Sequence, residues 1–289
     1  IAEGCQRQCT FCVIPSIRGP LRSLPPEDIL KRAEFLVSKG YREIIIVAQD
    51  TTSYGNDLGK GYGLKDLLKD MAGIDGQFWI KLLYLYPGSV DEALLELIAE
   101  NKKICPYLDI PFQHTEKRLL RLMGRTGDRE AYLRIVSLAK QIIKDLHLRT
   151  TFIVGFPTET EEEFQGLVSF VRDVRFDHLG GFKYSDEEGT KAYNLKPKVP
   201  EDVINKRYEL LMKTQAEIST EKLRNYINKI LTVLVDTVEE DIATARHPGQ
   251  APEIDGMVLI KDPEGLKVGD FVEVLVDDST TYDLIGRLV

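Results

Sequence analysis

The sequence predicts an α/β fold, a parallel sheet closed or partly closed into a partial (β/α)6 barrel, followed by a small antiparallel β-barrel. Three observations predict it. Short runs that are apolar on both faces alternate with amphipathic helical patterns through the first part of the chain. Beyond about residue 224 the pattern turns to short alternating strands broken by Gly, Pro and Asp. The net charge lies wholly beyond that same point.

The elements follow in order. After a strand stub at Ile1 to Glu3, PEDILKRAEFLVSKG sets Ile29, Leu30, Ala33, Leu36 and Val37 on one helical face, with Glu27 and Asp28 in the first turn and Gly40 as a stop. EIIIVAQD, from Glu43, is a short continuous apolar strand. WIKLLYLYPG from Trp79, YLDIPFQH from Tyr107, RTTFIVGFP from Arg149 and HLGGFKYS from His178 are its counterparts. SVDEALLELIAENKK, DREAYLRIVSLAKQIIKDL and ETEEEFQGLVSFVRDV carry the helical period between them. With the stub, six strands are expected. In such barrels chemistry gathers at the C-terminal ends of the strands. A long helix runs from Pro200 to about Tyr226, with Glu201 and Asp202 in its first turn. KILTVLVDTV, MVLIKDP and GDFVEVLVDD then read as strands of the small barrel. The boundary falls near Arg224, giving domains 1–224 and 225–289.

A chain of 289 residues with 43% hydrophobic and 29% charged residues, and no apolar run near eighteen residues, reads as soluble and globular without a membrane span. It shows no signal peptide. Three of its four cysteines crowd at one end, which suggests a reducing, cytoplasmic setting and a metal or cluster in place of a disulfide framework. Cysteine chemistry four residues after Ile1 reads as a fragment whose upstream domain is absent. Residues 225–289 hold five Lys and Arg against thirteen Asp and Glu, a net of −8. Taking these from the chain's 38 and 46 leaves 33 of each in residues 1–224. An RNA-tracking surface needs clustered Lys and Arg, so this barrel would repel RNA and attract a basic protein. A solvated face that only aids solubility is the alternative.

Cys5, Cys9 and Cys12 stand with three and then two residues between them. A structural zinc site closes on four ligands, commonly as two separated pairs, and no second pair is present. Cys105 lies far along the chain at the start of a strand, where a lone cysteine reads as a small buried hydrophobe. Three thiolates can instead hold a 4Fe-4S cluster with one iron left open for a substrate or cofactor, whereas an electron-carrying ferredoxin supplies four. The thiols follow the first strand and so sit at the catalytic end of the barrel.

C-x3-C-x2-C after the first strand of a β/α barrel resembles the radical S-adenosylmethionine (SAM) superfamily, whose core is a partial TIM-like barrel. The resemblance implies that SAM chelates the open iron and is cleaved by one electron to methionine and a 5′-deoxyadenosyl radical. It places Phe11 beside the adenine. EGCQRQCTFCVIPSIRGPLRS, VAQDTTSYG, YLDIPFQH, RTTFIVGFPTETEEEF, YSDEEGTKAY and APEIDG together look like the methylthiotransferases, in the branch acting on a ribosomal protein, and the small barrel is similar to that family's TRAM domain. What this implies is transfer of a methylthio group to the β-carbon of an aspartate in a small-subunit ribosomal protein. SAM would be used twice, an electron donor is required, and a second 4Fe-4S cluster belongs to an N-terminal domain not contained in this sequence. The sister branch modifies a tRNA adenosine, and the acidic barrel disfavours that substrate. A non-catalytic electron-transfer or RNA-binding module is the remaining reading.

Further candidates sit at strand ends. Gln49, Asp50 and Thr51 could hold the amino group or ribose of SAM, with loop capping as the alternative. Gln113 and His114 could contact SAM or substrate, or His114 could be a satisfied structural histidine. Gly155 and Phe156 could let backbone approach adenine, although a tight turn would also explain the glycine. Tyr184 ends the sixth strand. Arg18 could pair with a carboxylate. NDLGKGYG reads as a flexible loop over the mouth, not a phosphate cradle. His147, His178 and His247 have no ligand spacing and no assigned role.

Overall fold

The computed structural model describes residues 1–59 and 61–289. The elements run β1 (Ala2–Glu3), α1 (Ile14–Arg18), β2 (Arg22–Ser23), α2 (Pro26–Ser38), β3 (Glu43–Ile46), α3 (Leu64–Ala72), β4 (Trp79–Leu82), α4 (Glu92–Glu100) and β5 (Tyr107–Asp109). They continue with α5 (Lys117–Leu122), α6 (Arg129–Ile142), β6 (His147–Val154), α7 (Glu161–Val174), β7 (His178–Lys183) and α8 (Glu201–Arg224). A second set follows: β8 (Ile230–Val238), β9 (Ile242–Arg246), β10 (Val258–Lys261), β11 (Phe271–Ser279) and β12 (Leu284–Leu288).

Strands β3 to β7 are parallel and adjacent in chain order, as the β/α alternation requires. β4 and β5 meet through a bridge between Ile80 and Ile104 and through the Leu85 N–H, which donates to the Asp109 carbonyl at 2.8 Å. Helices cover the sheet with their periodic faces. α3 buries Leu64, Leu67, Leu68 and Met71, and α7 buries Phe164, Leu167, Val168, Phe170, Val171 and Val174. A capping box starts α7: Thr160 Oγ1 accepts from the Glu163 N–H, and the Glu163 carboxylate accepts from the Thr160 N–H. Among the described residues no helix is long and apolar enough to cross a membrane.

Three expectations are corrected. The stub β1 pairs antiparallel with β2 and is not a full sixth strand; it meets the sheet edge through the Ile1 backbone nitrogen, 3.0 Å from the Val47 carbonyl oxygen. α3 was not expected from the pattern. Residues 56–63, read as a flexible loop over the mouth, precede it in the chain: Gly63 is its N-cap residue, Tyr62 bonds to Asp70 at 2.6 Å, and no described residue of the segment lines the thiol cavity below. Lys60 lies outside the described residues. The small barrel, closed in the order β10-β12-β11-β8-β9, is not wholly antiparallel, because β10 and β12 run parallel.

The small barrel sends residues 246–255 against the N-terminal end of the parallel sheet. Glu43, Tyr107, His147 and His178 open their strands there, and the segment meets them with Arg246, His247, Gln250 and Asp255. The three histidines left without a role come together: the His147 and His247 rings lie 4.9 Å apart, and His178 Nε2 is 2.7 Å from the Gly249 carbonyl. Trp79 packs edge-on to Phe271 at 4.9 Å beside an apolar seam of Leu83, Cys105, Tyr107 and Ala251.

Burial pushes His147 down to about 4 and His247 well below its usual value. Both rings stay neutral in the folded chain while the unfolded chain titrates them near 6.5, so unfolding takes up protons between about pH 6.5 and 4. Stability therefore falls as pH drops through that window. Asp109, which burial pushes up to about 6, acts in the opposite sense between 3.8 and 6. Denaturant titrations should show unfolding free energy lost on acidification at about 1.4 kcal/mol per pH unit for each net proton. His147→Gln should remove one proton from that slope; an unchanged slope would refute the assignment.

Candidate cofactor site

Cys5, Cys9 and Cys12 line one cavity of about 190 Å³ at the C-terminal end of the parallel strands. The loop carrying them is pinned at several points. The Thr10 N–H donates to the Met123 carbonyl at 2.9 Å, Thr10 Oγ1 donates to the Leu122 carbonyl at 2.7 Å, and the Cys5 N–H donates to the Gly19 carbonyl at 3.2 Å. Gly124, at φ 70°, allows this close approach, because a Cβ there would stand 2.4 Å from the Gln8 carbonyl oxygen.

The three thiols are partly exposed, and burial pushes those of Cys5 and Cys12 up. Among the described residues no three His, Cys, Asp or Glu side chains converge on a point that could hold a single metal ion. A tetrahedral zinc needs all its donors about 2.0–2.3 Å from one centre. A cubane cluster is different, since each thiolate binds its own iron and the sulfurs stay apart around the cluster. The cavity is more than ten times the roughly 10–15 Å³ that one water needs on the same measure, so it has room for a group larger than a single ion.

Phe11, Gln49, Asp50 and Gln113 also line the cavity. Asp50 is engaged: its carboxylate accepts from Arg7 Nε at 2.7 Å and from Ser53 Oγ at 2.6 Å. Gln113 sits at φ 70° and is tied to β6 through its backbone, the N–H to the Thr151 carbonyl and the carbonyl to the Ile153 N–H, both at 2.8 Å. Its Oε1 is buried without a partner among the described residues, an acceptor open to a ligand.

The other strand-end residues stand outside this lining. Thr51 is buried, its hydroxyl donating to the Leu83 carbonyl and its N–H to the Tyr84 carbonyl, so it serves the frame. His114 is fully buried: Nδ1 accepts from the Glu116 N–H and Nε2 lies 3.1 Å from Glu159 Oε1, which puts the proton on Nε2. Glu159 Oε2 accepts from the Gly155 N–H at 2.6 Å and from Arg207 Nη1 at 2.7 Å. Gly155 is required by packing, because a Cβ would meet Ile204 Cγ1 at 2.4 Å. Phe156 is buried and meets half-buried Tyr184 edge-on at 5.3 Å. Arg18 is exposed and faces Glu3. Cys105 is buried as expected, its thiol pushed up to about 12 by desolvation.

Sequence reasoning missed Arg7, Tyr84, Tyr86 and Arg125 on the cavity wall. The Arg7 and Arg125 guanidinium carbons stand 3.7 and 4.8 Å from the Tyr86 ring centroid. Arg125 also donates to the Pro111 carbonyl at 2.7 Å and directs Nη1 at Cys9 Sγ, 3.7 Å away. Tyr84 and Tyr86 follow β4 at its C-terminal end, a position that could have flagged them. Arg125 had no such signal.

Residues 1–171 match the family model described as the radical SAM superfamily, and residues 227–289 match the TRAM domain. Over 289 residues the chain is 56% identical to the ribosomal protein uS12 methylthiotransferase RimO of Thermodesulfovibrio yellowstonii, covering 100% of this chain and 68% of that relative. It is 44% identical over 289 residues to the protein of the same name from Thermotoga maritima, covering 100% of this chain and 67% of that one. The chain thus spans about two thirds of the length of the curated relatives it matches. Among solved structures it resembles the radical S-adenosylmethionine methyltransferase TsrM from Kitasatospora setae, with a TM-score of 0.53 and 17% identity over 66% of this chain and 37% of that one. Coproporphyrinogen III oxidase HemN from Escherichia coli gives 0.51 and 15% identity over 84% and 63%. At those identities the likeness is one of fold, a TIM-like radical SAM core; with the TRAM match over residues 227–289 this is the architecture expected. With its thiol-lined cavity at the mouth of that core and its whole length matched by these relatives, the chain belongs to the radical SAM superfamily and, within it, to the ribosomal protein uS12 methylthiotransferases.

Proposed function

We propose that this chain carries the SAM-cleaving centre and the C-terminal docking domain of an enzyme that places a methylthio group on the β-carbon of an aspartate in ribosomal protein uS12. The observation that carries it is the convergence of Cys5, Cys9 and Cys12 on one cavity with an unpartnered acceptor, in a chain 56% identical to a uS12 methylthiotransferase. Cys5, Cys9 and Cys12 hold a 4Fe-4S cluster. When bound, the cluster supplies the electron for reductive cleavage of SAM. Phe11 offers an aromatic face to the adenine, Gln49 and the free Oε1 of Gln113 accept from donors of SAM, and Asp50 holds Arg7 against Tyr86. Thr51, His114, Gly155, Phe156 and Tyr184 shape the neighbouring strand ends. A second 4Fe-4S cluster belongs to the part of the relatives' length that this chain does not match, an external donor supplies the electron, and the reaction takes place in the cytoplasm.

Anaerobic reconstitution should load one cluster per chain whose spectrum changes on adding SAM, and reductant should then release 5′-deoxyadenosine. Stoichiometric zinc with no cluster would overturn the reading.

The domain boundary falls after Arg224, where α8 ends and before the TRAM match begins. The acidic barrel receives the basic substrate. Glu239, Glu240 and Asp241 are exposed on the turn between β8 and β9. Reversing all three to Lys should weaken uS12 binding about tenfold at low salt, with the difference shrinking once the Debye length falls to about 3 Å in 1 M salt. Equal affinities at low salt would refute docking there.

A further inference from the structure

Asp255, on the segment that the small barrel sends into the sheet, has a fully buried side chain. Its Oδ2 accepts from Tyr107 Oη and from the Ala251 N–H, both at 2.8 Å, while Oδ1 pairs with Arg149 Nη1 and lies 3.3 Å from His178 Nδ1. Arg149 projects from β6 into the sheet interior, where its Nε is 3.9 Å from Asp109 Oδ1. Asp109 ends β5, and its Oδ2 accepts from the Tyr84 N–H at 3.0 Å. The Asp109 carbonyl also accepts from the Leu85 N–H at 2.8 Å.

Tyr84 is the point that needs holding. It stands at φ 60°, a left-handed conformation unfavourable for a bulky L-residue, and such positions persist where their surroundings over-determine them. Here the Asp109 carboxylate holds its N–H and the Thr51 N–H donates to its carbonyl at 3.0 Å. Tyr84, Leu85 and Tyr86 together form one wall of the thiol cavity. A run of polar groups therefore leads from the C-terminal domain to that wall, joined by hydrogen bonds except at the 3.9 Å ion pair of Arg149 with Asp109, whose Oδ1 accepts no hydrogen bond among the described residues.

We propose that the C-terminal domain positions the cofactor cavity through Asp255, Arg149 and Asp109, which together hold the Tyr84–Tyr86 wall in its left-handed turn. This rests on the reading of the cavity as the SAM site. Asp109 is a positioning residue: it touches neither thiol nor cavity and acts through the Tyr84 peptide. The small barrel then does more than dock substrate, because a change in how residues 246–255 sit would reach the cavity by this route.

The test uses the full reconstituted chain with Asp255→Asn, and Asp109→Asn, which leaves the Arg149–Asp255 pair in place should the first variant fail to fold. Amide hydrogen exchange should quicken at least tenfold at Tyr84 and Leu85 and stay unchanged at Phe152 in β6, while SAM binding weakens about tenfold. Unchanged exchange at Tyr84 in a folded variant overturns the proposal. So does a uniform rise across the β6 amides, which would make the role merely structural. Wild-type chain that takes up no SAM would refute the reading of the site, and the exchange measurement would still decide the route to Tyr84.

Discussion

Replacing Cys9 with alanine is expected to abolish cluster assembly in a chain that still folds. Cys9 is half-exposed on a loop whose backbone is anchored by Thr10 and Cys5, so its side chain contributes little to the core. With three thiolates a cubane keeps one open iron; with two, a second iron loses its protein ligand and the cluster is shed. Iron and sulfide content, and the visible charge-transfer absorbance, should drop to background after anaerobic reconstitution, while the thermal midpoint of the cluster-free chain moves little. Cys105→Ala is the matched control. Its thiol is buried with Leu83, Tyr107 and Ala251 and is pushed up to about 12, so it is a packing group. That variant should keep a full cluster and lose about 1 kcal/mol of stability. A full cluster in Cys9→Ala, or loss of the cluster in Cys105→Ala, would overturn the ligand assignment.

The thiols were legible because C-x3-C-x2-C lies within eight residues on one loop, so its three side chains are brought near one another without any long-range pairing. The parallel strands were legible because apolar runs, III in EIII and FIV in HLRTTFIV, stand between segments of helical period. α3 was harder to see: LKDLLKDMA is short and follows a glycine-rich stretch that signals a loop more strongly. β9, IATAR, carries two alanines and an arginine that reads as exposed, yet Arg246 is buried where it meets the sheet. The histidine cluster could not be read from spacing. His147 and His178 open neighbouring parallel strands, with His147 opposite Tyr107 and His178 opposite Arg149, so a crossover helix separates them in sequence while the register brings them together. His247 arrives from the other domain. Arg125 and Arg7 escaped notice for the same reason: their function as cavity wall depends on Tyr86, which comes from a third element.

Glu43→Gln should be the most destabilising single substitution at the junction of the two domains. Glu43 begins β3 and shares its carboxylate between two buried cations, with Oε1 3.1 Å from Lys81 Nζ and Oε2 2.7 Å from Arg246 Nη1. The Lys81 side chain is 0% exposed and that of Arg246 8%, so neither ammonium nor guanidinium can turn to water when the charge opposite disappears. Asp236 holds Arg246 through two bonds of 2.8 Å, and the Gln250 carbonyl accepts from Lys81 and Arg246, but neither restores a counter-ion to Lys81. Removing one partner from a buried ion cluster costs about 3–5 kcal/mol, because the other charges stay desolvated. The denaturant midpoint should fall accordingly with an unchanged slope, so that the loss is one of stability and not of compactness. The triple variant Glu43→Gln, Lys81→Met, Arg246→Met separates this from a simple loss of contacts. If the penalty is the stranded charge, removing the cations as well should recover most of the stability; if the cluster's attraction itself holds the domains together, the triple variant should be the least stable of all.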